Sequence, residues 1–227
     1  MSLFDGVTAS AVRKAEQDGF SFPQALSEKY QPETIDEFIG LDKVKRIFAK
    51  FLQAPYKSAW LFNGPPGTGK TTFAIAIAKQ LNAEVKHIPS QECNVANLSE
   101  VIRQCWYVPR ANSFHVVLID EIDKASNAAQ LQLLSKLDAT GMPPQTVFFL
   151  TCNSTDTLEA RLISRTRQID FSSHGLAEPG AELLERIFSR EAPNATDKPN
   201  FLRIMREAKN NVRDALMCLE TEVLLAA

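Results

Sequence analysis

Short apolar runs recur along the chain at residues 59–63 (AWLFN), 84–88 (EVKHI), 115–119 (HVVLI), 146–151 (TVFFLT) and 168–171 (QIDF). They alternate with segments of helical character at 73–83 (FAIAIAKQLNA), near 97–106, at 126–137 and at 157–164. Near-continuous apolar strands separated by helices predict a parallel sheet covered on both faces, the α/β class. Ahead of the first run, residues 7–18 (VTASAVRKAEQD) read as a short amphipathic helix, followed by a Pro-interrupted extended stretch through Pro23 and Pro32. After Ser173 the strands stop. The segment HGLAEPG at 174–180 reads as a linker, and residues 178–192, 198–208 and 210–227 read as three helices. The expected division is an N-terminal helical extension over 1–26, an α/β domain over 27–173 and a small helical domain over 174–227.

Composition narrows the class. The chain has 227 residues, 44% hydrophobic and 23% charged, which is ordinary globular usage and excludes a disordered chain or a disulfide-stapled mini-protein. Lys plus Arg (25) nearly balance Asp plus Glu (27), for a net charge of −2. That balance argues against a uniformly basic coat for nucleic acid, although a local basic face survives the average. No apolar run approaches the roughly 20 residues of a membrane-spanning helix, and MSLFDGVTAS lacks the layout of a signal peptide, so no membrane contact and a cytosolic location are expected. The cysteines Cys93, Cys105, Cys152 and Cys218 are scattered, without His87, His115 or His174 close by in the clustered spacing that structural zinc requires, and read as ordinary thiols.

The chemistry is concentrated in two segments. Gly64–Thr71, GPPGTGKT, satisfies the phosphate-loop pattern G-x-x-x-x-G-K-[ST] between an apolar strand and a helix. Gly64, Pro65, Pro66, Gly67, Thr68, Gly69, Lys70, Thr71 and Thr72 are therefore candidate nucleotide contacts. The glycines let backbone N–H groups curl around a polyphosphate, Lys70 bridges the outer phosphates, and Thr71 offers a hydroxyl to Mg²⁺. In the second segment, HVVLIDEID, a buried strand ends in Asp120 and Glu121. Carboxylates there are costly to desolvate; Asp120 is expected to hold the Mg²⁺ shell and Glu121 to polarise an attacking water. Asp123 is taken as a first-turn acid complementing a helix dipole.

The chain resembles an AAA+ ATPase, and within that superfamily it is most similar to the clamp-loader (replication factor C) small subunits. The residues that carry the resemblance are SEKYQPETIDEFIG (27–40), GPPGTGKTT (64–72), LIDEID (118–123), AAQLQLLSKLDA (128–139), FFLTCNS (148–154), LISRTR (162–167) and NNVRDAL (210–216). The resemblance implies five parallel strands, a three-helix lid, and an ATP site with Mg²⁺ completed by a neighbouring subunit. Asn153 matches the first sensor, facing the γ-phosphate or the lytic water. Arg165 matches the arginine finger that reaches the next subunit, with Arg161 and Arg167 as rivals. Arg213 matches the second sensor, on the lid, and Tyr30, Pro32, Phe38, Ile39 and Gly40 match the segment lining the adenine pocket.

The implied partners are other AAA+ subunits in a homo- or hetero-oligomer, a sliding clamp and primer–template DNA. The alternatives are a remodelling, branch-migration or initiator-type motor, or a nucleotide-binding assembly module with little turnover. Gln31, Thr166, the LIDEID form and Asn210–Asn211 depart from the family pattern and suggest a divergent relative, viral sources included; the cytosol would then be bacterial or that of a host cell. No family-type C-terminal collar follows the third lid helix, so the expectation is either a truncated chain or a different assembly.

Overall fold

A computed structural model describes residues 24–109, 114–138 and 140–226. The helix expected at 7–18 lies outside the described residues. Strands β1 (Ser58–Asn63), β2 (Glu84–Ile88), β3 (His115–Ile119), β4 (Thr146–Cys152) and β5 (Arg167–Asp170) form one parallel sheet in the order β2-β3-β4-β1-β5. The position of each strand explains its pattern. β3 and β4 are buried at every residue, whereas the edge strands β2 and β5 carry Glu84, Lys86, Arg167 and Asp170. Charged edges of this kind also discourage pairing with another chain.

Successive side chains of the central strands feed two separate cores, as the two-residue period of a strand dictates. Leu61, Val117, Ile119, Phe148 and Leu150 face one side, beneath helices α4 (Val95–Gln104) and α5 (Asn127–Leu137). Trp60, Phe62, Val116, Leu118, Val147 and Phe149 face the other, beneath α2 (Asp42–Gln53) and α3 (Lys70–Gln80). Phe48 of α2 is fully buried there, with its ring centroid 4.8 Å from Trp60, 5.6 Å from Phe62 and 5.5 Å from Phe73.

Several elements differ from the sequence reading. Helix α2 was not among the expected elements, although Val44, Phe48 and Phe51 are spaced at helical period and form its buried side. The stretch expected to be extended around Pro32 includes the single-turn helix α1 (Leu26–Lys29) and a 3₁₀ turn over Ile35–Glu37. The helix expected at 157–164 is the short α6 (Ala160–Ser164). The linker expected over 174–180 is only half linker, because α7 (Ala177–Glu191) starts inside it. Pro179 falls in the first turn of α7, where a missing N–H costs nothing. Gly180 is buried in the same helix at a point where a Cβ would meet the end of Met205. Helices α8 (Phe201–Glu207) and α9 (Val212–Ala226) pack with α7 and α1 around a third apolar cluster that includes Leu26, Leu184, Phe188, Met205 and Leu219.

Candidate nucleotide-binding site

β1 lies between β4 and β5, so the chain leaves β1 toward one side of the sheet to form β2 and returns to the other side for β5. In open α/β sheets a crevice forms outside the carboxyl ends of the strands at such a switch point. The candidate residues gather there. Asn63 ends β1 and leads into the phosphate loop, Asp120 follows β3, and Asn153 follows β4.

The glycines of the loop serve different local needs. A Cβ on Gly64, at φ +152°, would stand 2.1 Å from the carbonyl oxygen of Phe171, so the loop's entry must press against the backbone that leaves β5. Gly67, at φ +73°, lies under the lid, where a Cβ would stand 1.7 Å from Asn211 Oδ1. Gly64→Ala is therefore expected to destabilise the fold by about 1–3 kcal/mol through backbone strain alone. Urea denaturation checks this, and an unchanged midpoint would remove the packing role given to this glycine.

Lys70 turns back into the loop. Its ammonium donates to Gly64 O at 2.6 Å, Pro65 O at 2.9 Å and Asn153 Oδ1 at 3.1 Å. Burial lowers its pKa, an effect opposed by the nearby Asp120, Asp123 and Glu121 carboxylates. Thr71 Oγ1 donates to Asp120 Oδ1 at 2.7 Å, and Thr151 Oγ1 donates to the same oxygen at 2.5 Å. Glu121 has a left-handed backbone, φ 50°, and its carboxylate pairs with Lys124 Nζ at 2.6 Å. Asp123 stands in the first turn of a 3₁₀ helix over Ile122–Lys124 and also folds back toward β4. Its Oδ2 accepts the Asn153 N–H at 3.3 Å, while Oδ1 is buried without a hydrogen-bond partner among the described residues.

A cavity of about 900 Å³ opens on the other side of the loop, between it and the helical domain. Tyr30, Pro32, Phe38, Ile39, Gly67, Thr68, Gly69, Thr72 and Arg213 line it together. Gly40 sits just behind, where a Cβ would stand 2.7 Å from Leu176. Pro65 and Pro66 are exposed on the loop. Tyr30 reaches the lid through a hydrogen bond from its hydroxyl to Glu191, which also pairs with Lys29 at 2.8 Å. Those partners hold the Glu191 carboxyl below its usual range. Arg186 and Arg190 line the cavity as well, and the sequence reading missed both. Their signal was available, since they share a helical face with Leu183 and Ile187 at a spacing of three and four residues.

The three arginines of the LISRTR segment are held differently. The Arg167 guanidinium lies over the rings of Tyr56 and Trp60, at 5.0 and 5.3 Å from their centroids. Arg165 pairs through Nε with Asp138 and donates to Arg161 O at 3.2 Å. Arg161 is exposed. Arg161, Arg165 and Arg167 are absent from the cavity lining.

The donors fit a nucleoside triphosphate with a divalent cation. The loop supplies an ammonium beside backbone amides at the start of α3, and the Thr71 hydroxyl and Asp120 carboxylate are hard oxygens of the kind Mg²⁺ takes alongside substrate phosphates.

A parallel sheet, a glycine loop entering a helix and strand-end carboxylates define a phosphate-loop nucleotide-binding fold. The model of the "ATPase family associated with various cellular activities (AAA)" matches residues 60–173, half of the chain, and the protein belongs to that family. The chain is 28% identical over 223 residues to DNA polymerase III subunit gamma of Buchnera aphidicola subsp. Schizaphis graminum, covering 87% of this chain and 60% of that protein. It is 33% identical over 153 residues to replication factor C subunit 3 of Blastobotrys adeninivorans, covering 64% of this chain and 45% of that one. The chain thus spans about half the length of these relatives. The fold is also that of the Thermotoga maritima RuvB Holliday junction branch migration motor, with a TM-score of 0.65 at 23% identity, covering 87% of this chain and 65% of that one. Among the described residues no helix is long and apolar enough to cross a membrane.

Proposed function

We propose that this protein is an ATP-binding and ATP-hydrolysing subunit of a clamp-loader-type assembly, acting with other AAA+ subunits to place a sliding clamp on primer–template DNA. The observation that carries the proposal is the convergence of Lys70, Thr71, Asp120, Glu121 and Asn153 at adjoining strand ends. In this reading Lys70 and the loop amides hold the phosphates, Tyr30, Pro32, Phe38, Ile39 and Gly40 surround the base, and Arg213 ties the lid to the nucleotide. Thr71 and Asp120 would hold Mg²⁺, which when bound neutralises phosphate charge. Asn153 orients the γ-phosphate side. Glu121 takes the proton of the attacking water, for which its carboxylate must leave Lys124. Arg165 serves the neighbouring subunit, supported by its absence from this chain's own cavity and by the commitment of Arg167 to two aromatic rings. The similarity to the two replication proteins supports the choice of clamp and primer–template DNA.

The test is steady-state ATP hydrolysis with and without primer–template DNA and a sliding clamp, both of which are expected to stimulate turnover. Stimulation by four-way junction DNA alone would favour a branch-migration motor. A second reading, a nucleotide-binding assembly module with little turnover, is favoured by the Glu121–Lys124 and Arg165–Asp138 pairs, which occupy the two groups hydrolysis needs. Binding without turnover under every condition would select it. If the Lys124 pair restrains the base, Lys124→Ala should raise basal hydrolysis by up to about fivefold, the range of an exposed ion pair. A lower rate in that variant would show that Lys124 assists the base rather than restraining it.

A further inference from the structure

Thr151 is the penultimate residue of β4 and is 1% exposed in a strand that is otherwise apolar through Val147–Leu150. A hydroxyl buried there needs partners. It has two, and both belong to the carboxylate segment after β3. Thr151 Oγ1 accepts the backbone N–H of Glu121 at 3.0 Å and donates its own proton to Asp120 Oδ1 at 2.5 Å. The same Asp120 oxygen accepts the Thr71 hydroxyl at 2.7 Å. One continuous chain therefore runs from the Glu121 amide through Thr151 to Asp120 and on to the first turn of α3. Glu121 is in the left-handed region, which a glutamate adopts only when its surroundings hold it there. The amide that Thr151 accepts is the one at the start of that turn.

From this we infer that Thr151 is a positioning residue, whose hydroxyl sets the Asp120 carboxylate and the Glu121 backbone turn together. The metal-facing and base-facing groups are then placed by a single side chain on the neighbouring strand. Valine at this position would fill nearly the same volume but leave a buried amide and one carboxylate contact without their partner. Serine would keep both hydrogen bonds and lose only a methyl group. The inference rests on the proposed roles of Asp120 and Glu121 in ATP hydrolysis, but the hydrogen-bond chain is a property of the protein without nucleotide.

The experiment compares Thr151→Val and Thr151→Ser with the wild type, with Thr151→Ala read in place of valine if that variant does not fold. Amide hydrogen exchange at Glu121, measured by NMR without nucleotide, should be faster in the valine variant and return toward wild type in the serine variant. The Mg²⁺ concentration for half-maximal tightening of ATP binding should rise, and turnover should fall, each by about 10–100-fold, as for other outer-shell partners of metal ligands. ADP affinity in EDTA should stay within about threefold, since the Thr151 hydroxyl bonds to Asp120 and Glu121 and Thr151 does not line the cavity. Unchanged Glu121 exchange in the valine variant overturns the inference. So does faster exchange with an unchanged Mg²⁺ requirement, which would make Thr151 a purely structural residue, and so does a serine variant that behaves like valine. If the wild type neither binds nor hydrolyses ATP, the proposed function fails, while Glu121 exchange still decides whether Thr151 holds that turn.

Discussion

Lys70→Ala is expected to abolish measurable ATP binding. The Lys70 ammonium is the positive group inside the loop, 8% exposed and fixed by three acceptors at 2.6, 2.9 and 3.1 Å. Two of those acceptors are loop carbonyls, which repel phosphate once the ammonium is gone. The Asp120, Asp123 and Glu121 carboxylates also stand near it, and without a cation among them a polyphosphate meets uncompensated negative charge. Each charge-assisted hydrogen bond lost is worth roughly 1.5–3 kcal/mol, so loss of two corresponds to at least about 100-fold in affinity. Titration with a fluorescent ATP analogue checks this beside thermal unfolding of the same variant. Affinity within threefold of wild type in a folded Lys70→Ala protein would mean that the loop does not bind the phosphates. Because burial lowers the Lys70 pKa, the cation is lost at a lower pH than for a surface lysine. ATP affinity should therefore fall on the alkaline side before ordinary lysines titrate.

Mixing two inactive variants should restore hydrolysis. Glu121→Gln removes the proposed base while keeping the loop, and its turnover should fall by about 10²–10⁴-fold with ATP binding retained. Arg165→Ala should leave the ATP affinity of the isolated subunit unchanged, because Arg165 does not line its own cavity, and should lower only the hydrolysis that depends on assembly. An arginine finger is worth about 10³–10⁵ in turnover, so each variant alone should be nearly silent. In a mixed assembly some interfaces pair an Arg165 from a Glu121→Gln subunit with a Glu121 from an Arg165→Ala subunit, and those interfaces should turn over. Arg161→Ala and Arg167→Ala serve as controls. Complementation by Arg161→Ala instead would move the finger by four residues, while Arg167→Ala should lower stability by removing its stacking on Tyr56 and Trp60. If no arginine variant complements while the wild type is an assembly-dependent ATPase, a site shared between subunits is ruled out. Arg213→Ala separates the cases further, since its place in the cavity predicts weaker nucleotide binding even in a monomer.

Local patterns were legible wherever one physical requirement dominates a segment. A glycine loop between a strand and a helix has few other uses, and β3 and β4 read as strands because burial on both faces makes them near-continuous apolar runs, broken only by His115 at the start of β3 and by Thr146 and Thr151 in β4. Reading was weakest where context decides. Helix α2 carries a clear apolar period but stands among prolines and charges upstream of the first strand, and the first turn of α7 contains Pro179–Gly180, a pair that usually marks a break. Asp123 stands in the first turn of a short 3₁₀ helix, as a dipole-complementing acid does, but it has a further partner, the Asn153 amide, which arrives from the end of a strand thirty residues away. No sequence spacing encodes that meeting.

By itself the sequence determined the α/β class, the order of the five strands, the helical segment after the sheet, and the candidate residues for phosphate and metal. Each of these depends on residue type and on neighbours within a few positions. Only the tertiary structure decided which of them meet. The sheet order brings the ends of β1, β3 and β4 side by side, placing Asp120 between Thr71 and Thr151 and carrying Asn153 to Lys70. It also distinguished three exposed arginines of one short segment: Arg167 stacks on two rings, Arg165 pairs with Asp138, and Arg161 makes neither contact among the described residues. The lid added Arg186 and Arg190 to a cavity whose other wall begins at Ser27. The physical reason is that hydrogen bonds and ion pairs act over about 3 Å in space whatever the distance along the chain, so their partners are chosen by packing.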